Sequence, residues 1–386
     1  MSRPRILAGA ALCAALCTAF AGALPAQSSL SARGLGYPLE PLTARARALG
    51  GAEAALPEPA LSLVNPAAVV GLPAGGFSVT FQSDGFTPEG DDADETTTTR
   101  FPAVQVAFPF GERAVLTVGY AAFLDQNWRV EREDTLDLSS GRTPVVDRFA
   151  ASGGVARFRA GGGYRVLGRL DVGATIDVYT GALRDTLVRF IRDFETTRLG
   201  ADYRWQGVGL TGGARWRGEA FSVGASLSAG GTLEVEPRDS AAGGKSYTLP
   251  VTFNAGASAR VAQQLLVAAS LRWQGWSAAD GELAESGGAR DALSAGGGIE
   301  FEGFSLLGRR APLRLGARMT QLPFRDDAAG TEFADERALT GGLGLQFAGG
   351  QANLDLAGEI GRRGGDTAGL DESFWRVSLS LSLLSR

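Results

Sequence analysis

The sequence contains no histidine, and its two cysteines, Cys13 and Cys17, both lie at the extreme N-terminus. Lysine is almost absent as well. Lys245 is the only one among 37 basic residues. These absences remove whole classes of chemistry. Without histidine there is no Ser-His-Asp or Cys-His arrangement, no imidazole metal ligand and no imidazole base. Without cysteine beyond Cys17 there is no disulfide, thiolate zinc site or iron–sulfur ligation in the body of the chain. No serine stands in a Gly-x-Ser-x-Gly elbow, so an enzyme is not expected and no catalytic residue is assigned. No cofactor and no metal are implied. The 386 residues carry 42 acids and a net charge of −5, which argues against a nucleic-acid surface. Past the N-terminal stretch, no apolar run approaches the ~18 residues of a transmembrane helix.

The N-terminal stretch reads as a targeting segment over residues 1–26. Arg3 and Arg5 precede a mostly apolar run, Ile6 to Ala23. Ala21-Gly22-Ala23 fits a small-residue cleavage site, and Pro25-Ala26-Gln27 offers a second. Leu12 and Leu16 stand before the two cysteines, where a lipoprotein needs a small residue. The mature chain is therefore expected outside the cytoplasm.

Period-two alternation dominates the body of the chain. Leu170, Val172, Ala174, Ile176 and Val178 share one face, with Asp171, Gly173, Thr175 and Asp177 on the other. Residues Leu265–Gln274, Leu313–Thr320, Leu339–Phe347, Ala352–Ile360 and Trp375–Leu383 alternate likewise. The stretch Tyr247–Val261 reads as one strand, with Tyr247, Leu249, Val251 and Phe253 on its apolar face. Fourteen such segments start near Gly76, Arg100, Ala114, Arg148, Arg169, Ala201, Ala220, Ser246, Leu265, Arg290, Pro312, Glu336, Gln351 and Ser373.

Their connections alternate between short and long. Short turns fall at Gly111–Arg113, Leu167–Arg169, Arg217–Glu219, Ala262–Gln264 and Gly349–Gly350; the turn near Gly303–Ala311 is longer. Polar connections fall at Asp84–Thr99, Gln126–Asp147, Asp185–Arg198, Glu234–Lys245, Ala278–Ala289, Arg325–Asp335 and Gly361–Glu372. This layout predicts an all-β fold, an antiparallel transmembrane outer-membrane barrel of about 14 strands over residues 73–386. Closure is required because lipid cannot satisfy an open sheet edge. The apolar faces then meet the bilayer and the polar faces meet the lumen. Glycine, 55 residues and roughly twice average usage, suits strands that coil and pack closely. An even strand count predicts that both mature termini are periplasmic.

Residues 27–72 lack the alternation yet are too apolar for a linker. They predict a hatch, or plug, inside the barrel. The run Arg47-Ala48-Leu49-Gly50-Gly51-Ala52, then Leu61-Ser62-Leu63-Val64-Asn65-Pro66-Ala67, resembles the N-terminal signature of the FadL-type outer-membrane long-chain fatty-acid and hydrocarbon transporters. The related PorV-like barrel components of type IX secretion carry a similar segment. The resemblance covers the architecture of the mature chain and rests on a motif of about twenty residues. It departs at Pro57-Glu58-Pro59, where those families usually carry small polar residues with Asp. It implies a hatch with Gly50 and Gly51 in its first motif and Asn65, Pro66 and Ala67 fixing its turn into the wall. By residue type alone, Asn65-Pro66 is also an ordinary turn initiator.

Charges of both signs fall on the predicted lumen faces: Arg157, Arg159, Asp171, Asp177, Arg204, Arg215, Arg260, Arg272, Glu300, Arg314, Arg318, Asp355, Glu359 and Arg376. Such a set braces a barrel by ion pairing or lines a polar path for solute. In the third long connection, Leu187, Phe190, Ile191 and Phe194 have helical spacing and suggest an apolar ligand-contact face. Phe86, Phe123, Trp128, Trp276 and Phe324 are candidates to gather near it, or to form an interfacial girdle. The acidic runs Asp91-Asp92-Ala93-Asp94-Glu95 and Asp326-Asp327 read as solvated loops. The expected function is uptake of a hydrophobic or amphipathic small molecule across the outer membrane. The alternative is a non-transporting barrel that docks or anchors other proteins. The partner common to both is the outer-membrane bilayer.

Overall fold

The computed structural model describes residues 29–88, 96–138, 141–191, 196–238, 244–283, 288–325, 333–364 and 371–385. The predicted targeting segment, Phe194 and the two acidic runs lie outside the described residues.

Fourteen strands form one closed antiparallel wall: β1 (Gly75–Pro88), β2 (Thr96–Phe110), β3 (Ala114–Asp125), β4 (Gly141–Leu167), β5 (Leu170–Ile191), β6 (Thr197–Arg217) and β7 (Phe221–Pro237), then β8 (Thr252–Ala262), β9 (Leu265–Gln274), β10 (Ala292–Phe301), β11 (Leu313–Arg325), β12 (Phe333–Phe347), β13 (Ala352–Gly364) and β14 (Glu372–Ser385). Each pairs with the next, and β14 closes on β1 from Ser385↔Gly75 to Glu372↔Pro88. No open edge is left for lipid to meet. The outward faces carry exposed large apolar residues, among them Ile176, Leu210, Leu315, Leu339 and Ile360. The inward faces carry buried Ser, Thr, Asp, Glu and Arg.

The short turns gather at one end, with the longer turn after β10 closed by a small hairpin, Ser305–Leu306 against Arg309–Arg310. At the other end the strands reach further than expected. β4, β5 and β6 run 27, 22 and 21 residues. A tilted strand crosses the bilayer in about 9–11 residues, so these three stand well clear of it. The predicted connection Gln126–Asp147 is mostly strand. Trp128–Leu138 forms a hairpin with the start of β4.

Three sequence expectations are corrected here. Leu187, Phe190 and Ile191 lie in β5, paired with Phe149, Val146 and Val145 of β4, and not on a helix. The β4–β5 ladder, continuous from Val145 to Arg165, outweighs a helical spacing of four residues. The predicted strand Tyr247–Val261 is split. Lys245–Thr248 pairs with the far end of β7, Pro250 interrupts, and β8 begins at Thr252. Proline cannot donate to a ladder. Tyr247 and Leu249 therefore pack inward, not on the lipid side. Arg204 is exposed on the outer face of β6, because alternation back from the buried Arg215 and Thr211 puts Trp205 inside and Arg204 outside.

Candidate functional site

The lumen is occupied by the chain's own N-terminal segment. Its described residues begin at the long-loop end. There Tyr37–Pro38 pairs with Asp125 and Leu124 at the end of β3, and Gln126 Nε2 donates to the Leu35 carbonyl at 3.1 Å. The segment then descends through the barrel and enters β1 at the short-turn end. A five-residue helix, α1 (Ala44–Ala48), is capped by Thr43, whose hydroxyl accepts from the Ala46 N–H. Its start is held by the Ala44 N–H donating to Ser380 Oγ of β14 at 2.7 Å.

Contacts run round the whole inner wall. Ser270 of β9 donates to the Gly51 carbonyl at 3.1 Å, and Ser258 of β8 to the Ala55 carbonyl at 2.6 Å. Ser226 of β7 donates to the Val64 carbonyl at 2.7 Å. Arg159 of β4 donates to the Leu63 carbonyl. Only a chain inside the barrel reaches all of these strands.

Both motif halves have a physical role. Gly50 and Gly51 adopt φ of +68° and +86°, a region that favours glycine. Gly50 also lies hard against the wall, where a Cβ would stand 2.3 Å from the Ala317 carbonyl oxygen. Asn65 is fully buried and makes three hydrogen bonds. Its Oδ1 accepts from the Ala67 N–H at 3.0 Å, capping the turn Pro66–Val69. Its Nδ2 donates to the carbonyls of Ala54 at 3.0 Å and Ala214 at 3.1 Å. The first ties two parts of the segment together, and the second ties them to β6. Asn65-Pro66 is thus more than a turn initiator.

The wall receives this segment on glycine. A Cβ at Gly316 or Gly298 would meet the backbone of Leu49 and Gly50, and one at Gly173 or Gly213 would meet Pro66 or Asn65. Inward glycines let two backbones approach where any side chain would separate them. Composition exposed the excess of glycine but not this use of it.

Apart from Arg204, the expected lumen charges are inward and paired. Arg376 bridges Asp84 at 2.6 Å and Glu359 at 2.8 Å; Arg318 joins Glu359 at 3.1 Å and also pairs with Glu336. Arg314 bridges Glu300 at 2.5 Å and Asp355 at 2.6 Å. Asp177 takes Arg159 at 2.9 Å and Arg157 at 3.9 Å, and Asp171 takes Arg215 at 3.2 Å. Sequence reasoning missed the partners supplied by the N-terminal segment. Glu40 reaches Arg272 at 3.0 Å and Arg318 at 3.3 Å. Arg45 reaches Glu300 at 2.6 Å, Arg47 reaches Glu359 at 3.5 Å and Glu58 reaches Arg260 at 3.0 Å. The charges join the N-terminal segment and the wall in one lattice. A gap beside Gly50 and Gly51, bordered by Glu40, Val64, Asn254 and Arg318, measures about 40 Å³. That is room for a few waters at most, not an organic solute.

Glu53 stands outside the lattice. It is buried with Oε2 unpartnered among the described residues. Burial raises its carboxyl to about 7, against the opposing pull of a Ser62 hydrogen bond, the Thr43 backbone and Arg47 and Arg45.

At the long-loop end the lumen turns apolar. Phe123, Tyr179, Trp205, Leu233, Trp276 and Phe324 pack together, joined by Leu35 from the N-terminal segment and by Leu249. Phe123 lies 4.9 Å from Tyr179 and 6.0 Å from Trp276, and Trp276 lies 5.2 Å from Phe324. Of the five aromatics expected to gather, three do. Phe86 packs instead with Phe374 and Ala338, and Trp128 sits half-buried in the hairpin.

A family model described as BamG matches residues 1–221 and 217–386. No curated protein matches the sequence. Among solved structures, a Pseudomonas aeruginosa FadL homologue aligns over 90% of this chain and 99% of its own, at 12% identity and a TM-score of 0.59. The P. putida toluene transporter TodX aligns over 89% and 99%, at 16% identity and a TM-score of 0.60. The likeness is one of fold, that of the FadL-type outer-membrane barrels.

Proposed function

The chain belongs to the BamG family, and from that premise and the filled lumen we propose an outer-membrane barrel that admits a hydrophobic or amphipathic small molecule at its long-loop end. The carrying observation is the aromatic cluster around Trp276, set inside a barrel whose inward faces elsewhere are mostly polar. Phe123, Trp276 and Phe324 are buried against one another and against Leu35, so an apolar solute would enter by displacing part of this packing. Residues 29–72 act below it as a hatch, seated on wall glycines and tied by ion pairs. TodX, named as a toluene transporter, shares the fold and lends the reading support.

The test is a crystal of the protein soaked with a bromine-labelled long-chain fatty acid. Anomalous peaks among Phe123, Trp276 and Phe324 are expected. Bromine confined to the detergent belt, with another protein co-purifying at fixed stoichiometry, would replace uptake by a docking role.

A further inference from the structure

One connection at the short-turn end does not fit its place. The others there are tight, but the one after β10 projects as a hairpin in which Ser305 pairs with Arg310 and Leu306 with Arg309. Its base is held by the Glu302 N–H donating to the Gln264 carbonyl at 2.8 Å and the Ala311 N–H donating to the Phe304 carbonyl at 3.0 Å. The two tip residues, Leu307 and Gly308, have φ of +54° and +71°. A two-residue turn of this kind favours Asn, Asp or Gly at both positions, because a larger side chain is strained there. Leucine gains nothing from the turn. It gains nothing from packing either, since Leu307 is 87% exposed, the highest value for a large apolar side chain among the described residues. A strained and bare leucine calls for something outside the chain to receive it.

The surroundings identify the receiver. Tight turns of such a barrel face the periplasm, so this end of the wall meets the inner leaflet. On β12 the outward residues are Leu339, Leu343, Leu345 and Phe347, alternating with Gly342 and Gly344, which face the N-terminal segment and Arg314. Phe347 is the last of them before the turn Ala348–Gly350, so it ends the lipid-facing band. Phe301 ends the same band on β10 and is 43% exposed. Aromatics at the end of the band mark the boundary between hydrocarbon and headgroups. The Arg309 guanidinium lies over the Phe347 ring, 4.5 Å from its centroid. The hairpin therefore leans on the outside of the wall at headgroup level, and does not turn into the lumen. Arg309 and Arg310 are both exposed. Glu302, the one acid between residues 302 and 311, is taken by Arg260 at 3.0 Å.

We propose that this hairpin is a foot on the inner leaflet of the outer membrane, with Leu307 in the interface and Arg309 and Arg310 on the phosphates of an anionic phospholipid. An interface offers both media at once: the apolar tip meets acyl carbon while the guanidinium groups reach the phosphates. A groove on a periplasmic protein would take the leucine equally well. Arg309, however, is stacked back onto the aromatic belt of the wall, away from such a partner. The foot does not depend on what the lumen admits.

The test uses the full chain in phosphatidylglycerol vesicles, in a Cys13→Ser/Cys17→Ser background, with a nitroxide on Ser305→Cys and Leu307 left native. Power saturation should find the label at least threefold more accessible to oxygen than to a water-soluble nickel chelate. Leu307→Asn gives the turn a residue that it favours, so the barrel should melt no earlier than the parent. The label should nonetheless move into water, its oxygen-to-nickel ratio falling at least threefold. Arg309→Gln/Arg310→Gln should lower the ratio too, and so should phosphatidylcholine in place of phosphatidylglycerol. A nitroxide on Gly168→Cys, at the tight turn after β4, gives the value for water. A Ser305 label that matches it in the parent, or a ratio unchanged by Leu307→Asn, overturns the proposal. Exclusion of both reagents overturns it as well, because the hairpin would then be packed against protein.

Discussion

Glu53 shows how a single residue ties the seating of residues 29–72 in the barrel to pH. Its carboxyl lies near 4.5 when free and is raised to about 7 by burial in the docked segment. A raised acid is favoured in its protonated form, so the docked state binds the proton more tightly than the released state. The docking stability from this group is complete below about 4.5, falls as pH rises toward 7 and stays at its lower level above that. Hydrogen-exchange protection of residues 44–70 should therefore decline across that window. Glu53→Gln keeps the shape and the Ser62 contact but has no proton to lose. Its protection should be flat with pH. An unchanged slope in the variant would mean another group senses the pH.

Elements are where the sequence spoke most clearly, and where it stopped. Period two located all fourteen wall strands because each has lipid on one side and a polar lumen on the other. Leu356 shows this: flanked in register by Leu343 and Leu379, it faces the bilayer. Leu356→Arg should destabilise the barrel by about 2–4 kcal/mol if it sits at the midplane, measured by urea titration in lipid vesicles. Asn353→Arg, beside the turn and on the inner face, should be much milder. Equal losses would mean that the faces are wrongly assigned. The lumen charges were legible for the same reason, as polar residues in phase. The path of residues 29–72 was not. Its bonds join residues hundreds of positions apart, such as Arg45 to Glu300 and Arg47 to Glu359, and no local pattern encodes them. Nor does composition tell which glycines form the bed. Gly316 does: its ladder partners Gly298 and Thr340 hold it in place, and a Cβ there would stand 2.6 Å from the Gly50 nitrogen. Gly316→Val should unseat the plug, and a protease added from the periplasmic side of vesicles should then cut at Arg45 or Arg47. Gly358→Val, with nothing within 4 Å of its added carbon, should leave the plug protected. Cleavage in both variants, or in neither, would show that the glycine bed does not seat the segment.

Across the whole molecule, two obstructions stand in series along the lumen. The apolar cluster of Phe123, Trp276 and Phe324 lies at the long-loop end, and the N-terminal segment with its ion pairs lies below. Resistances in series add, so the larger one sets the flow, and removing the smaller changes little. Deleting Leu42–Ala60 takes away Arg45, Arg47 and Glu58 but leaves the wall's own pairs, Arg314 with Glu300 and Arg376 with Glu359. The barrel should still insert. In a planar bilayer this deletion alone should raise single-channel conductance modestly, because Trp276 and Phe324 still close the upper lumen. Adding Trp276→Ala and Phe324→Ala should raise it by more than the sum of the separate changes. If the deletion alone opens the channel fully, the aromatic cluster is no seal, and the proposed entry site loses its support. If the combined variant conducts no better than the parent, the charged wall itself is the barrier and the N-terminal segment is not a hatch.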